Sequence, residues 1–157
     1  MTIELRSLQR TELGALAKIH AVCFPTDGWT VRDFMELLAI RGATGHVAVG
    51  ENDAIAGFIL DIVGIDDAEI LTLGTVPEAR RRGIGRLLID NLARRAKQKS
   101  VSRVLLEVAS DNFAAIALYE SYGFKLLGER PGYYRRPGGK IDAYIFALSL
   151  ARTLDGA

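Results

Sequence analysis

Arg80-Arg81-Arg82-Gly83-Ile84-Gly85-Arg86 joins an apolar run, Ile70-Leu71-Thr72-Leu73-Gly74-Thr75-Val76-Pro77, to a segment where Ile84, Leu87, Leu88, Leu92 and Ala96 recur at helical spacing. The run reads as a strand and the segment as a helix. The two glycines let the backbone bend sharply and let a ligand approach the main chain. The first turn of the helix offers N–H groups with no partner inside it and the positive end of its dipole. The arginines deepen that potential, so the bend suits a phosphate-bearing ligand. A triple-arginine run alone favours a solvated basic turn instead. The glycines and the amphipathic helix are what favour the anion site.

Outward from the bend, residues 102–109 read as a second strand, so 69–76, 84–99 and 102–109 form a strand–helix–strand unit with parallel strands. A short helix over 113–122 follows, closed by Gly123. Strands at 124–130 and 142–148 flank a turn-rich Pro131-Gly132…Pro137-Gly138-Gly139. Before the bend, residues 2–6 read as a strand and 11–23 as a helix with Leu13, Leu16, Ala17 and His20 on one side. Pro25-Thr26-Asp27-Gly28 breaks that helix. Thr30 caps the next one, with Asp33 in its first turn and Phe34, Leu37 and Leu38 as its buried stripe. Strands 46–50 and 54–63 form a hairpin at Glu51-Asn52-Asp53, and Asp66-Asp67 turns the chain into 69–76. The C-terminal Thr153-Leu154-Asp155-Gly156-Ala157 reads as frayed. The sum is an α/β chain with a mixed sheet, antiparallel at its start and parallel in the middle.

With 157 residues, 49% of them hydrophobic, the chain suits one domain with a real core, residues 1–157. A formal net charge of +1 gives no general pull on nucleic acid, and no direct nucleic-acid binding is expected. Cys23 is the only cysteine, which rules out an intrachain disulfide and fits a reducing compartment. Beside Ile19, Val22 and Phe24 it reads as a small core residue. The alternation Thr2-Ile3-Glu4-Leu5-Arg6 is not a signal peptide, and no apolar run is long enough for a bilayer. The chain therefore reads as soluble, cytoplasmic and without a membrane partner.

Leu106-Glu107-Val108-Ala109-Ser110-Asp111-Asn112 followed by Ala115-Ile116-Ala117-Leu118-Tyr119-Glu120-Ser121-Tyr122-Gly123-Phe124, together with Arg80 to Gly85, resembles the GCN5-related N-acetyltransferase superfamily (GNAT). The second of these runs resembles its ribosomal-protein alanine subgroup. So do His20-Ala21, Phe24-Pro25, Trp29, Tyr133-Tyr134 and Asp142-Ala143. The resemblance spans residues 2–150. It implies a GNAT-like mixed, mostly antiparallel sheet with a splayed central parallel strand pair and about four helices on both faces. Two departures stand out. Leu73-Gly74-Thr75 replaces the usual Ile-Ala-Val, so cofactor contacts at Gly74 are expected from backbone alone. Thr26-Asp27-Gly28 separates Pro25 from Trp29, where the subgroup often has Pro-Trp adjacent.

The implied reaction is acetyl transfer from acetyl-CoA to an amine, with no metal. The resemblance implies that the amides of Arg81, Arg82, Gly83, Ile84, Gly85 and Arg86 hold the pyrophosphate. The main chain of Leu73, Gly74 and Thr75 would pair with the pantetheine arm, and a backbone N–H near Gly74–Val76 would face the oxyanion. Asn112 is implied to bond the arm, and it also reads as a helix N-cap; both roles can hold. Glu107 is implied as general base and Tyr119 as the acid that protonates the leaving thiolate. Glu107 interrupts the apolar Val104-Leu105-Leu106…Val108, where partial desolvation favours proton uptake; a solvent-facing strand-end glutamate is the other reading. Tyr119 also reads as a core aromatic with Ala115, Leu118 and Phe124.

Trp29, Tyr133 and Tyr134 lie in loop-like segments, where they either grip an acceptor peptide or simply pack. His20 reads as a helix-face or core histidine. Asp61, Asp66, Asp67 and Glu69 either attract a basic peptide or are solvated turn charges. The expected acceptor is a protein N-terminus, of a ribosomal protein in the subgroup's pattern. A lysine or small-molecule amine is the enzymatic alternative, and a non-catalytic acyl-CoA-binding module the other.

Overall fold

A computed structural model describes residues 2–150; the segment read as frayed lies outside them. The chain divides into two compact units. One holds the residues up to Ile62 together with Leu71–Leu92, the other Val63–Ile70 together with the residues from Ala93 onward. Strand β4 (Asp67–Thr75) and helix α3 (Ile84–Gln98) contribute to both.

The first unit carries β1 (Glu4–Ser7), α1 (Leu13–Cys23), α2 (Val31–Leu38), β2 (Ala43–Val49) and most of β3 (Ile55–Val63). Its strand order is β1-β2-β3-β4, with β1/β2 and β2/β3 antiparallel. Asn52 and Asp53 take the left-handed conformation that closes the β2–β3 hairpin, a region these two residue types tolerate better than most. Thr30 caps α2 as expected: its Oγ1 accepts from the Asp33 N–H at 3.1 Å, and Asp33 Oδ2 accepts from the Thr30 N–H at 2.8 Å. Leu13, Leu16, Phe34, Val47, Val49, Phe58 and Leu60 form the core, each side chain contributing about 1.5–3 kcal/mol by burial.

The second unit carries β5 (Arg103–Ala109), α4 (Phe113–Tyr122), β6 (Lys125–Arg136) and β7 (Gly139–Ser149). Its order is β4-β5-β7-β6, with β4/β5 parallel and the other pairs antiparallel. The parallel ladder runs from Asp67/Arg103 to Ile70/Leu106, and both strands continue past its end. The sheet is thus mixed and mostly antiparallel, and the described residues hold four α-helices.

Two expectations change. Strands 124–130 and 142–148 are far longer than their alternation indicated. Pro131-Gly132 is no turn but an irregularity inside β6, where the register slips between Arg130 and Tyr134; the true turn is Pro137-Gly138. Gly132 adopts φ 60° there, and its N–H donates to Asp142 Oδ1 at 2.9 Å. On α3, Leu87 is exposed and Ile89 takes its place in the buried stripe with Ile84, Leu88 and Leu92. Among the described residues no helix is long and apolar enough to cross a membrane.

Candidate active site

In the first unit, β4 ends at Thr75, a short 3-10 turn covers Pro77–Ala79, and the bend delivers α3 at Ile84. Arg81 (φ 65°) and Gly83 (φ 77°) are both left-handed. Glycine adopts that conformation freely, whereas a residue such as Arg81 bears about 1–3 kcal/mol of strain, a cost concentrated at functional sites. The space beside Gly83 is open, with nothing within 4 Å of where a Cβ would stand. Fully buried Ile84 anchors the helix start, so its N-terminal amides are held rather than mobile. Left-handed residues opening onto a helix start are a geometry in which main-chain N–H groups can receive an anion.

Gly74 has a packing reason. A Cβ there would stand 2.6 Å from Phe58 Cζ, so the ring of β3 takes the space an alanine would fill. The Thr75 carbonyl already accepts from Arg80 Nε at 3.3 Å and from Cys23 Sγ at 3.5 Å. Burial pushes the Cys23 thiol up, against the opposing charge of Arg80, which suits a packed thiol and not a nucleophile.

Trp29 is not a free loop aromatic. Its ring stacks on His20 at 4.9 Å and meets Phe34 edge-on at 5.3 Å. Its backbone N–H donates to His20 Nδ1 at 3.1 Å, and His20 Nε2 lies 2.9 Å from Thr72 Oγ1. Since Nδ1 accepts, the proton of the neutral ring sits on Nε2 and is donated to Thr72. His20 is 1% exposed, and burial lowers its pKa to about 4. It is the core histidine that its helical position suggested, and it ties α1, the Trp29 segment and β4 together. Asp61 is likewise no surface charge: it is fully buried on β3 and accepts from Thr44 Oγ1 at 3.2 Å, which overturns its reading as an attractive or solvated acid.

In the second unit, β5 alternates. Val104, Leu106 and Val108 are buried, while Arg103, Leu105 and Glu107 share the half-buried face. Glu107 therefore does not break the core stripe; it lies on the other side of the strand, with its side chain 26% exposed. Arg130 Nη2 donates to Glu107 Oε1 at 3.1 Å, and the Arg130 guanidinium lies 5.5 Å from the Tyr133 ring centroid. Tyr133 and Tyr134 meet edge-on at 5.1 Å. Both belong to strand β6 and not to a loop. Arg136 stands over Tyr134 at 5.5 Å and donates from Nε to Asp111 Oδ2 at 2.8 Å.

Asn112 caps α4, its Oδ1 accepting from the Ala115 N–H at 3.2 Å. Tyr119 is buried against Phe124. Burial first, and then the neighbouring Tyr134, push its phenol above the ordinary range. It thus stays protonated at neutral pH, the form a proton donor needs.

In the second unit Arg130 joins Glu107 to Tyr133 and Arg136 joins Asp111 to Tyr134, two arginines that sequence reasoning passed over; Tyr134 in turn neighbours Tyr119. Glu69, expected either to attract a basic peptide or to be a solvated turn charge, stands within reach of the Glu107 and Arg130 charges. Its carboxyl is raised by desolvation and then by the negative charge of Glu107, with Arg130 working against the rise. Both arginines lie beside the Tyr133-Tyr134 pair, but the partners they reach depend on strand register. Among the described residues no group of three or more His, Cys, Asp or Glu is placed to hold a metal.

The acetyltransferase (GNAT) family profile matches residues 13–124. The [ribosomal protein bS18]-alanine N-acetyltransferase of Escherichia coli K12 is 33% identical over 149 residues, covering 94% of this chain and 97% of that protein. That of Salmonella typhimurium is 38% identical over 146 residues, covering 92% and 95%. The crystal structure of the ribosomal-protein-S18-alanine N-acetyltransferase from Escherichia coli matches 99% of both chains with a TM-score of 0.87 at 28% identity. Arabidopsis thaliana NAA60, in complex with a bisubstrate analogue, matches 97% of this chain and 100% of its own with a TM-score of 0.84 at 25% identity.

Proposed function

The chain belongs to the acetyltransferase (GNAT) family, and from that premise we propose that it moves an acetyl group from acetyl-CoA to the N-terminal α-amine of a protein. The N-terminal alanine of a ribosomal protein is the proposed acceptor. We take the two compact units as halves of one acetyltransferase domain, in keeping with a family match that runs through both.

On this reading the amides from Arg81 to Arg86 hold the diphosphate of the donor substrate. The main chain of Leu73, Gly74 and Thr75 and the side chain of Asn112 hold its amide arm. What supports the first of these is the pair of left-handed residues opening onto the start of α3. An α-ammonium has a pKa of about 8 and must lose a proton before it attacks. Glu107 takes that proton, directly or through a water. The nitrogen forms its bond to the acetyl carbon, the carbon–sulfur bond breaks, Tyr119 gives its proton to the departing thiolate, and the second proton that the nitrogen sheds on becoming an amide returns through solvent to the phenol. Positioning of the two substrates supplies much of the rate. Trp29, Tyr133 and Tyr134 are the proposed acceptor contacts, with Tyr133 and Tyr134 supported by their place beside the Glu107 cluster.

The observation that carries the acceptor is the near full-length likeness to two alanine N-acetyltransferases at 33% and 38% identity. The test is a peptide panel with free or blocked N-termini, incubated with acetyl-CoA and read by mass spectrometry. The expected product is acetyl on the free α-amine, with alanine-initiated peptides foremost. Acetylation confined to blocked, lysine-containing peptides would overturn the acceptor.

A further inference from the structure

Resting on the reading of Glu107 as the base, we infer that Arg130 is a positioning residue for it, its guanidinium laid against the Tyr133 ring and holding the Glu107 carboxylate in place for proton uptake. The two residues are not on neighbouring strands, because β7 lies between β5 and β6. Glu107 stands opposite Ile145 and Arg130 opposite Ala143, and positions 143 and 145 share one face of β7. The guanidinium reaches along that face to within 3.1 Å of Oε1.

The irregularity in β6 is what makes this arrangement. In an unbroken strand, residues three apart face opposite sides, so Arg130 and Tyr133 would not meet. The register slip between Arg130 and Tyr134, clamped by Asp142 at Gly132, turns Tyr133 under the guanidinium. Bulges of this kind re-aim side chains beside active sites.

The charges around Glu107 show what Arg130 is for. From β4, Glu69 shares its face, being opposite Leu105 in the parallel ladder. From β7 that face presents Ile145 and Ala143, both uncharged. From β6 comes Arg130. On the same face Arg103 is paired with Asp67 and Lys125 stands opposite Ala147, while the cation that reaches Glu107 at 3.1 Å is Arg130; the Glu69 carboxyl is raised by desolvation first and by Glu107 second. The Arg130 and Glu107 side chains are 54% and 26% exposed, and an ion pair that open contributes little to stability. Its use is orientation.

The test is steady-state kinetics of the full chain with acetyl-CoA and an alanine-initiated peptide, for Arg130→Gln, Arg130→Lys and Glu107→Gln. Arg130→Gln is expected to lower kcat by roughly ten- to a hundredfold through misplacement of the carboxylate, with KM for acetyl-CoA and the melting midpoint unmoved. Arg130→Lys is expected to recover part of the loss. An unchanged kcat in Arg130→Gln, or a loss that follows the melting midpoint and that lysine does not relieve, overturns the inference. If Glu107→Gln itself keeps full activity, the base reading has failed. If Glu107→Gln is inactive while Arg130→Gln is not, only the positioning role has failed.

Discussion

The bend at Arg80–Arg86 and the cluster around Glu107 are built on different principles. The bend is main chain: two left-handed residues, the amides of a helix start, and a buried isoleucine that holds them. The Glu107 cluster is side chain: a carboxylate, a guanidinium and paired tyrosines from β5 and β6, assembled across β7. A main-chain site tolerates most side-chain changes and fails when the backbone cannot take its shape. A side-chain site fails on a single atom.

The largest expected effect lies in the second region. Glu107→Gln keeps the size and removes the proton acceptor, so kcat should fall by about 10²- to 10⁴-fold. KM for acetyl-CoA should hold, because the proposed donor contacts are other residues. Stopped-flow detection of CoA release measures both. A variant whose donor KM rises along with the kcat loss would break the division of labour between the two regions.

The same contrast explains what could be read from the sequence. Glycines, a helical stripe and an arginine run are local, so the bend and the elements around it were legible, as were the Thr30 cap and the Gly123 stop. The proposed roles of Glu107 and Tyr119 came from resemblance. Arg130 was not found, because its partner is set by the registers β5/β7 and β7/β6, to which no local pattern points. Pro131-Gly132 looks like a turn in any window, and only its pairing with β7 shows it to be a slip inside a long strand. Asp61 and Asp66 look alike in sequence; the first is buried with Thr44 and the second is exposed.

His20 is the polar side chain in the first unit that comes nearest to breaking the comparison. Burial holds its pKa to about 4, against the charges of Asp27 and Asp33, while the unfolded chain takes up the proton near 6.5. The unfolded state therefore gains protons first as pH falls. The contribution is complete above pH 6.5 and is lost between there and pH 4, on the order of 3 kcal/mol in all. Urea melts from pH 7 to pH 5 should show the decline, and His20→Gln should flatten it. If His20→Gln changes kcat while stability at pH 7 is kept, the first unit too uses a side chain in the chemistry.

Within the bend, two substitutions separate backbone from charge. Gly83→Val puts a β-branched residue at φ 77° and should raise KM for acetyl-CoA by about tenfold, since the left-handed region costs such a residue 1–2 kcal/mol. Arg81→Gly removes a charge while easing the strain at φ 65°, and should change that KM by less than about fivefold at physiological salt. The reverse order would mean that the arginines, and not the amides, hold the donor.

The smallest effect concerns a strongly drawn ion pair in the first unit. Arg6 donates to Glu12 from Nη1 at 2.8 Å and from Nη2 at 2.6 Å. The Arg6 hydrogen bond holds the Glu12 carboxyl below its usual range, so its contribution is present above the unfolded value, near 4.3, and is lost as pH falls through the folded one. Because Arg6 is partly exposed and also shared with Asp53, Glu12→Gln should cost no more than about 1 kcal/mol in urea melts at pH 7. Neither kinetic constant should move. A fall in kcat from this substitution would show that the first unit contributes more than a shaped backbone, and the contrast with the Glu107 cluster would narrow to one of degree.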